Sequence, residues 1–225
     1  MSLRLLLGIA ILGICGPAGG TRAADALPAA APPSVAPTLE ELTRRLAATP
    51  GVTARFEEQK HLALLESPVE SRGRMHFVPP GCLSWSVESP GRSQLVIEGD
   101  RVRFQNEASP EALDLSGNPM ARHFAEAFMV LFNGDLEAMK KQYSLRFEAG
   151  AAGWRLELVP RSSRVRALIE SIVLAGRAGP IDRMVLLETD GDRTVTTFAE
   201  TELDRRFAAT ELRELFGAQT SCGSS

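Results

Sequence analysis

Short runs of strictly alternating apolar and polar residues constrain this chain most. Leu83, Trp85 and Val87 alternate with Ser84, Ser86 and Glu88, and Trp154, Leu156 and Leu158 alternate with Arg155 and Glu157. Met75 and Phe77 likewise point one way while Arg74 and His76 point the other. A period of two puts one set of side chains on each face of a strand, and a helix cannot bury such a pattern. Gln94 to Glu98 and Arg101 to Gln105 flank Gly99-Asp100, and Ile181 to Thr189 and Arg193 to Ala199 flank Asp190-Gly191. Both are tight-turn signals. With Leu168 to Leu174 added, the spacing predicts a meandering antiparallel sheet.

Helical signals bracket and interrupt these strands. Thr38-Leu39-Glu40-Glu41 reads as a capping box, followed by an apolar stripe of Leu39, Leu42 and Leu46 that Pro50-Gly51 ends. Asn118-Pro119 opens a second helix, with Met120, Phe124, Ala127, Phe128, Leu131 and Phe132 on its apolar face. Asn133-Gly134 terminates it, and Asp135 starts a third helix carrying Leu136 and Met139. Near the end, Leu212, Leu215 and Phe216 form a last amphipathic turn. The plan is α+β, with helices covering one face of an antiparallel sheet.

The N-terminus reads as an address. Arg4, the uncharged run from Leu5 to Ile14 and the small residues Gly16 to Gly20 describe a secretory signal peptide over 1–23, cleaved near Ala23 to Ala26. The run is about half of the roughly 20 residues a bilayer needs. Ile14 before Cys15 argues against a lipidated cysteine. An Ala/Pro linker over 24–37, one domain over 38–217 and a disordered tail over 218–225 follow. Without Arg4 and Arg22, 23 basic residues face 28 acidic ones, a net charge of −5. Such a chain is a poor nucleic-acid binder with no basic stripe for a membrane surface. Cys82 and Cys222 remain after processing. Export permits a disulfide, but nothing in the sequence brings a strand residue and a Gly/Ser tail together, so free thiols are expected.

Catalytic patterns are missing. No G-x-S-x-G, G-x-G-x-x-G, P-loop, C-x-x-C or H-E-x-x-H occurs. His61, His76 and His123 are scattered, and His76 is expected to face solvent. Asp190 and Asp192 around Gly191 lack the further carboxylate of a Ca²⁺ loop and read as a hairpin turn. No enzyme, metal site or cofactor is predicted.

Three stretches resemble the outer-membrane lipoprotein carrier family, the LolA-type chaperones of the periplasm. They are Phe56-Glu57-Glu58-Gln59-Lys60 after a capped helix, Ser67-Pro68-Val69-Glu70-Ser71-Arg72-Gly73, and Pro79-Pro80-Gly81-Cys82-Leu83-Ser84-Trp85. The order of later elements matches as well, so the resemblance covers roughly Thr38 to Leu203. It implies an incomplete antiparallel β-barrel whose concave apolar face, under a helical lid, binds acyl chains of lipoproteins or lipids. It also implies a periplasmic monomer that passes cargo from an inner-membrane release complex or exporter to an outer-membrane acceptor. An envelope-stress sensor or adaptor using the same fold through protein contacts is the alternative.

On that resemblance, the ligand-binding residues are Phe77, Leu83, Trp85, Met120, Phe124, Phe128, Leu131, Trp154 and Leu156. Two departures stand out. Pro79 occupies the position where family members place an arginine that hydrogen-bonds the lid backbone and holds the empty cavity shut. Leu83 stands where the family often has a larger aromatic. Both suggest a divergent branch serving a dedicated glycolipid or pigment-lipid export system.

Overall fold

The computed structural model describes residues 37–118, 125–126, 129–177 and 179–223. Helix α1 spans Leu39–Ala48. Its capping box forms as expected: the Glu41 amide donates to Thr38 Oγ1 at 3.2 Å, and the Thr38 amide donates to Glu41 Oε2 at 2.9 Å. These bonds satisfy donors that the first turn otherwise leaves open. They also hold the exposed Glu41 carboxyl below its usual range, chiefly through the Thr38 amide.

Eleven strands follow in two meanders. The first comprises β1 (Val52–His61), β2 (Val69–Val78), β3 (Cys82–Ser89), β4 (Ser93–Glu98), β5 (Arg101–Asn106) and β6 (Ser109–Asp114). The second comprises β7 (Tyr143–Gly150), β8 (Gly153–Pro160), β9 (Ile169–Gly176), β10 (Arg183–Glu188) and β11 (Arg193–Glu202). The strand order is β6-β5-β4-β3-β2-β1-β11-β10-β9-β8-β7, antiparallel at every pairing. One long ladder, with Phe56 opposite Phe198 and Lys60 opposite Thr194, joins the meanders through β1 and β11. The last strands of the two arms, β6 and β7, do not pair, so the barrel stays open. The predicted α+β incomplete barrel is the observed architecture.

Alternation sorts the side chains onto two faces. Phe77, Leu83 and Ile97 lie side by side on the concave face, as do Leu156 and Leu174. Leu42 of α1 and helical residues Met129, Leu131 and Phe132 complete the same buried cluster. The Asn133-Gly134 stop holds: Gly134 has φ +64° and touches α1 so closely that a Cβ would lie 2.4 Å from the Thr43 carbonyl oxygen. Only glycine combines that backbone with that approach. Helix α2 (Leu136–Gln142) starts at Asp135, whose carboxylate accepts from the Ala138 amide at 2.9 Å. A short α3 (Ser163–Arg166) links β8 to β9.

Helices cover both faces, where one was expected. Helix α4 (Ala209–Phe216) lies on the convex face, its Phe216 buried with Val78, Cys82 and Val96. Those three belong to the polar phase of β2, β3 and β4. Each strand therefore carries an isolated apolar residue on its nominally polar side, a signal too short for period counting.

Three further expectations fail here. Cys82 and Cys222 form a disulfide with Cα atoms 6.0 Å apart across 140 residues of sequence. Residues 218–223, expected as disordered tail, lie against the convex face, with the Thr220 hydroxyl donating to Glu98 Oε1. The chain returns across the sheet as α4, which sequence distance alone does not reveal. His76 is half-buried and not solvent-facing. It shares a 3.0 Å hydrogen bond between Nδ1 and the Thr53 hydroxyl, beneath the edge of Phe207.

Candidate functional site

The concave face owes its shape to a ladder of aromatic residues around one glycine. Phe56 on β1 stacks on Trp85 of β3 at 4.4 Å, and Trp85 meets Phe198 of β11 edge-on at 6.0 Å. Between β1 and β3, Gly73 of β2 leaves the space these rings close over. A Cβ there would lie 1.9 Å from the Ser86 carbonyl oxygen and 2.8 Å from the Phe56 ring. Phe132 reaches down from the helical side onto Phe77, with ring centroids 5.5 Å apart.

The structure brings Phe77, Leu83, Trp85, Leu131, Trp154 and Leu156 together in one apolar cluster. Met120, Phe124 and Phe128 lie outside the described residues. Phe56, Met75, Phe104, Phe198 and Phe132 belong to the same surface and were not singled out as site residues. Phe56 sits in the F-x-x-Q-K motif, and Phe104 and Phe198 alternate within strands read correctly, so extending the period of two would have found them.

The face is not fully sealed. Trp85, Val87, Leu95, Leu145 and Phe147 point inward by register yet remain only partly buried. A cleft of about 410 Å³ opens beside Val87, Ser93 and Asn106 at one end of β3, β4 and β5. Another of about 500 Å³ opens at the opposite end, beside Trp154, whose indole N–H is buried without a hydrogen-bond partner.

Polarity runs along the strands. At the Phe77 and Leu83 end, inward positions are apolar. At the other, β1 presents Glu58 and Lys60, and β11 presents Thr196 and Thr194 opposite them. The Thr196 hydroxyl donates to Glu58 Oε2 at 3.2 Å, and the Lys60 ammonium lies 3.3 Å from Glu188 Oε1. Burial pushes the Glu58 carboxyl above its usual range, opposed by bonds from Thr196 and Ser71 and by the Lys60 charge. Composition and spacing had not pointed to this cluster.

The Asp190-Gly191 turn is the hairpin expected. Glu188, Asp190 and Asp192 bring carboxylate oxygens within 4.8 Å of one another, but the two aspartates already accept hydrogen bonds within the protein and Glu188 is set against a cation. Asp192 Oδ1 accepts from the Ala63 amide, Asp190 Oδ1 from the Asp192 amide, and Glu188 faces Lys60. The Pro79 turn between β2 and β3 is held by the Gly99 amide donating to the Gly81 carbonyl at 3.0 Å. Pro79 offers no side-chain donor, so the closing bond implied by the resemblance has no counterpart there.

The described residues form an open antiparallel sheet with a greasy concave side and helices laid over it, and nothing among them shows catalysis. The model of the family described as outer membrane lipoprotein carrier protein LolA-like matches residues 29–211, and the chain belongs to that family. An outer-membrane lipoprotein carrier protein of Chromohalobacter salexigens is 25% identical over 165 residues, covering 73% of this chain and 76% of the relative. One from Pseudomonas syringae pv. tomato is 22% identical over 172 residues, covering 76% and 81%. Among solved structures, a LolA superfamily protein from Nitrosomonas europaea superposes with a TM-score of 0.43 at 11% identity, covering 79% of this chain and 97% of its own. The Pseudomonas aeruginosa MucA/MucB complex gives 0.45 at 14%, covering 76% and 57%. Identities of 25% and 22% to the two carrier proteins place the chain on a divergent branch of the family. No helix among the described residues is long and apolar enough to cross a membrane.

Proposed function

We propose that this protein is a periplasmic carrier that shelters acyl chains on its concave face and shuttles them from the inner to the outer membrane. An inner-membrane release complex or exporter loads it, and an outer-membrane acceptor unloads it. The observation that carries this reading is the partly wet apolar surface. Trp85, Val87, Leu95, Leu145 and Phe147 face inward without being fully covered, which leaves contiguous apolar surface for a hydrocarbon chain to cover. Phe77, Leu83, Trp85, Leu131, Trp154 and Leu156 supply the floor and walls, and Met120, Phe124 and Phe128 are assigned to the covering helix.

The energetics suit the task. A methylene in water costs about 0.8 kcal/mol, so a chain of about 15 needs roughly 12 kcal/mol of shelter. Release into another apolar environment is nearly isoenergetic, so direction comes from the acceptor. Pro79 and Leu83 favour a dedicated glycolipid or pigment-lipid system over general lipoprotein traffic.

Protein purified from the envelope and analysed by mass spectrometry is expected to carry acylated lipid. A protein that repeatedly emerges lipid-free, and that extracts nothing from inner-membrane vesicles, overturns the reading. Efficient transfer of a purified lipoprotein from such vesicles would keep the carrier and remove the dedicated-cargo assignment.

A further inference from the structure

The carrier reading leaves the polar end of the concave face without a role. Thr194 is 4% exposed and faces inward opposite Lys60, yet its hydroxyl has no hydrogen-bond partner. Glu188 Oε1 is also buried without a hydrogen bond, although the Lys60 ammonium is 3.3 Å away. Buried polar atoms nearly always find partners, because an unmade bond costs the full desolvation of the group. Two such atoms at the inward, polar end of the β1–β11 ladder, next to the apolar cluster, mark a place where a ligand's polar atoms complete the set.

We propose that this end binds the head of the cargo, and that the head is an uncharged, hydroxyl-rich group such as a sugar or polyol. The inference rests on the carrier reading, since the head is recognised together with its acyl chain. Glu58 and Glu188 outnumber Lys60, so a phosphate or carboxylate head meets net repulsion. A quaternary ammonium satisfies the charge but has no hydrogen to give Glu188 Oε1. A hydroxyl donates to that oxygen and accepts from Thr194, which matches both vacancies at once. The polarity gradient then fixes orientation. Chains lie toward Phe77 and Leu83, and the head lies toward Thr194 and Lys60.

The test compares dodecyl maltoside, dodecyl phosphate and dodecyltrimethylammonium, each below its micelle-forming concentration, as displacers of the uncharged dye N-phenyl-1-naphthylamine from the full protein. The maltoside is expected to displace the dye at concentrations about tenfold lower than either charged compound. Thr194→Val, which keeps the side-chain shape, and Glu188→Gln should each reduce that advantage by about fivefold while dye affinity stays unchanged. Free maltose should leave the dye bound. Equal affinity for all three compounds, or an undiminished advantage in both variants, overturns the head assignment alone. Displacement by free maltose relocates recognition to a soluble sugar and overturns it too. Failure of every dodecyl compound to displace the dye, or of the dye to bind, sinks the carrier reading as well.

Discussion

The two faces of the first meander are closed by opposite means. On the convex face, α4 is held by a disulfide, by buried Phe216 and by polar contacts that fit their partners. The Arg103 guanidinium bridges Glu98 and the Phe216 carbonyl, and the Gln94 side-chain amide donates to Ser84 Oγ at 2.9 Å and to the Leu215 carbonyl at 3.2 Å. The described contacts of the concave face with its cover are apolar, Phe132 against Phe77 foremost. A covalent link and directed hydrogen bonds specify one arrangement, whereas apolar contact is non-directional and tolerates exchange of one greasy partner for another. On the carrier reading proposed above, one face is built to stay shut and the other to be re-covered by cargo.

That contrast can be broken most severely on the convex side. Cys82→Ser with Cys222→Ser opens a loop of 140 residues and is expected to lower unfolding free energy by up to about 5 kcal/mol, read as a fall in the denaturant midpoint. Amphiphile binding by the still-folded fraction should be unchanged, and a parallel loss would mean that the two faces are coupled. Phe216→Ala, emptying a side chain that is 1% exposed, should cost about 3 kcal/mol in the same assay and spare binding. A midpoint unmoved by that change would mean α4 is not docked.

Smaller changes on the concave side sharpen the difference. Gly134→Ala sets a left-handed residue against the α1 backbone and should cost about 2 kcal/mol by thermal unfolding. Leu95→Gln should cost about 1 kcal/mol or less, because Leu95 is only partly buried, yet weaken amphiphile binding roughly tenfold. A large stability loss with intact binding would make that surface ordinary core.

The smallest effect is a pH slope. The carboxyl of Glu58 titrates above its usual 4.5, so its protonated form favours the folded state. Stability from this group is therefore full below the unfolded value and lost as pH rises through the raised folded value. Glu58→Gln should flatten that decline above pH 4.5 and leave the protein slightly more stable at neutral pH. An unchanged slope would place Glu58 in water.

Much of the concave face was legible from residues alone because it repeats. Six of the nine residues assigned to binding lie in one cluster on that face, and five of the six sit in strands whose alternation or motif could be read locally. The polar end escaped because Glu58, Lys60, Thr194 and Thr196 look individually like ordinary strand-surface residues. Only the β1–β11 register turns them inward together. The Cys82–Cys222 pairing escaped for a related reason, since it depends on the path of α4 back across the sheet.

The chain by itself determined its periods, its caps and its turns: where strands alternate, that Thr38 and Asp135 start helices, and that Gly134 stops one. Those features act over a few residues, so their energetics are written in local sequence. Tertiary structure decided which face each alternating set would occupy, which polar residues would meet in the interior and which cysteines would bond. These outcomes depend on contacts between segments more than a hundred residues apart, whose formation is set by the closure of the whole sheet.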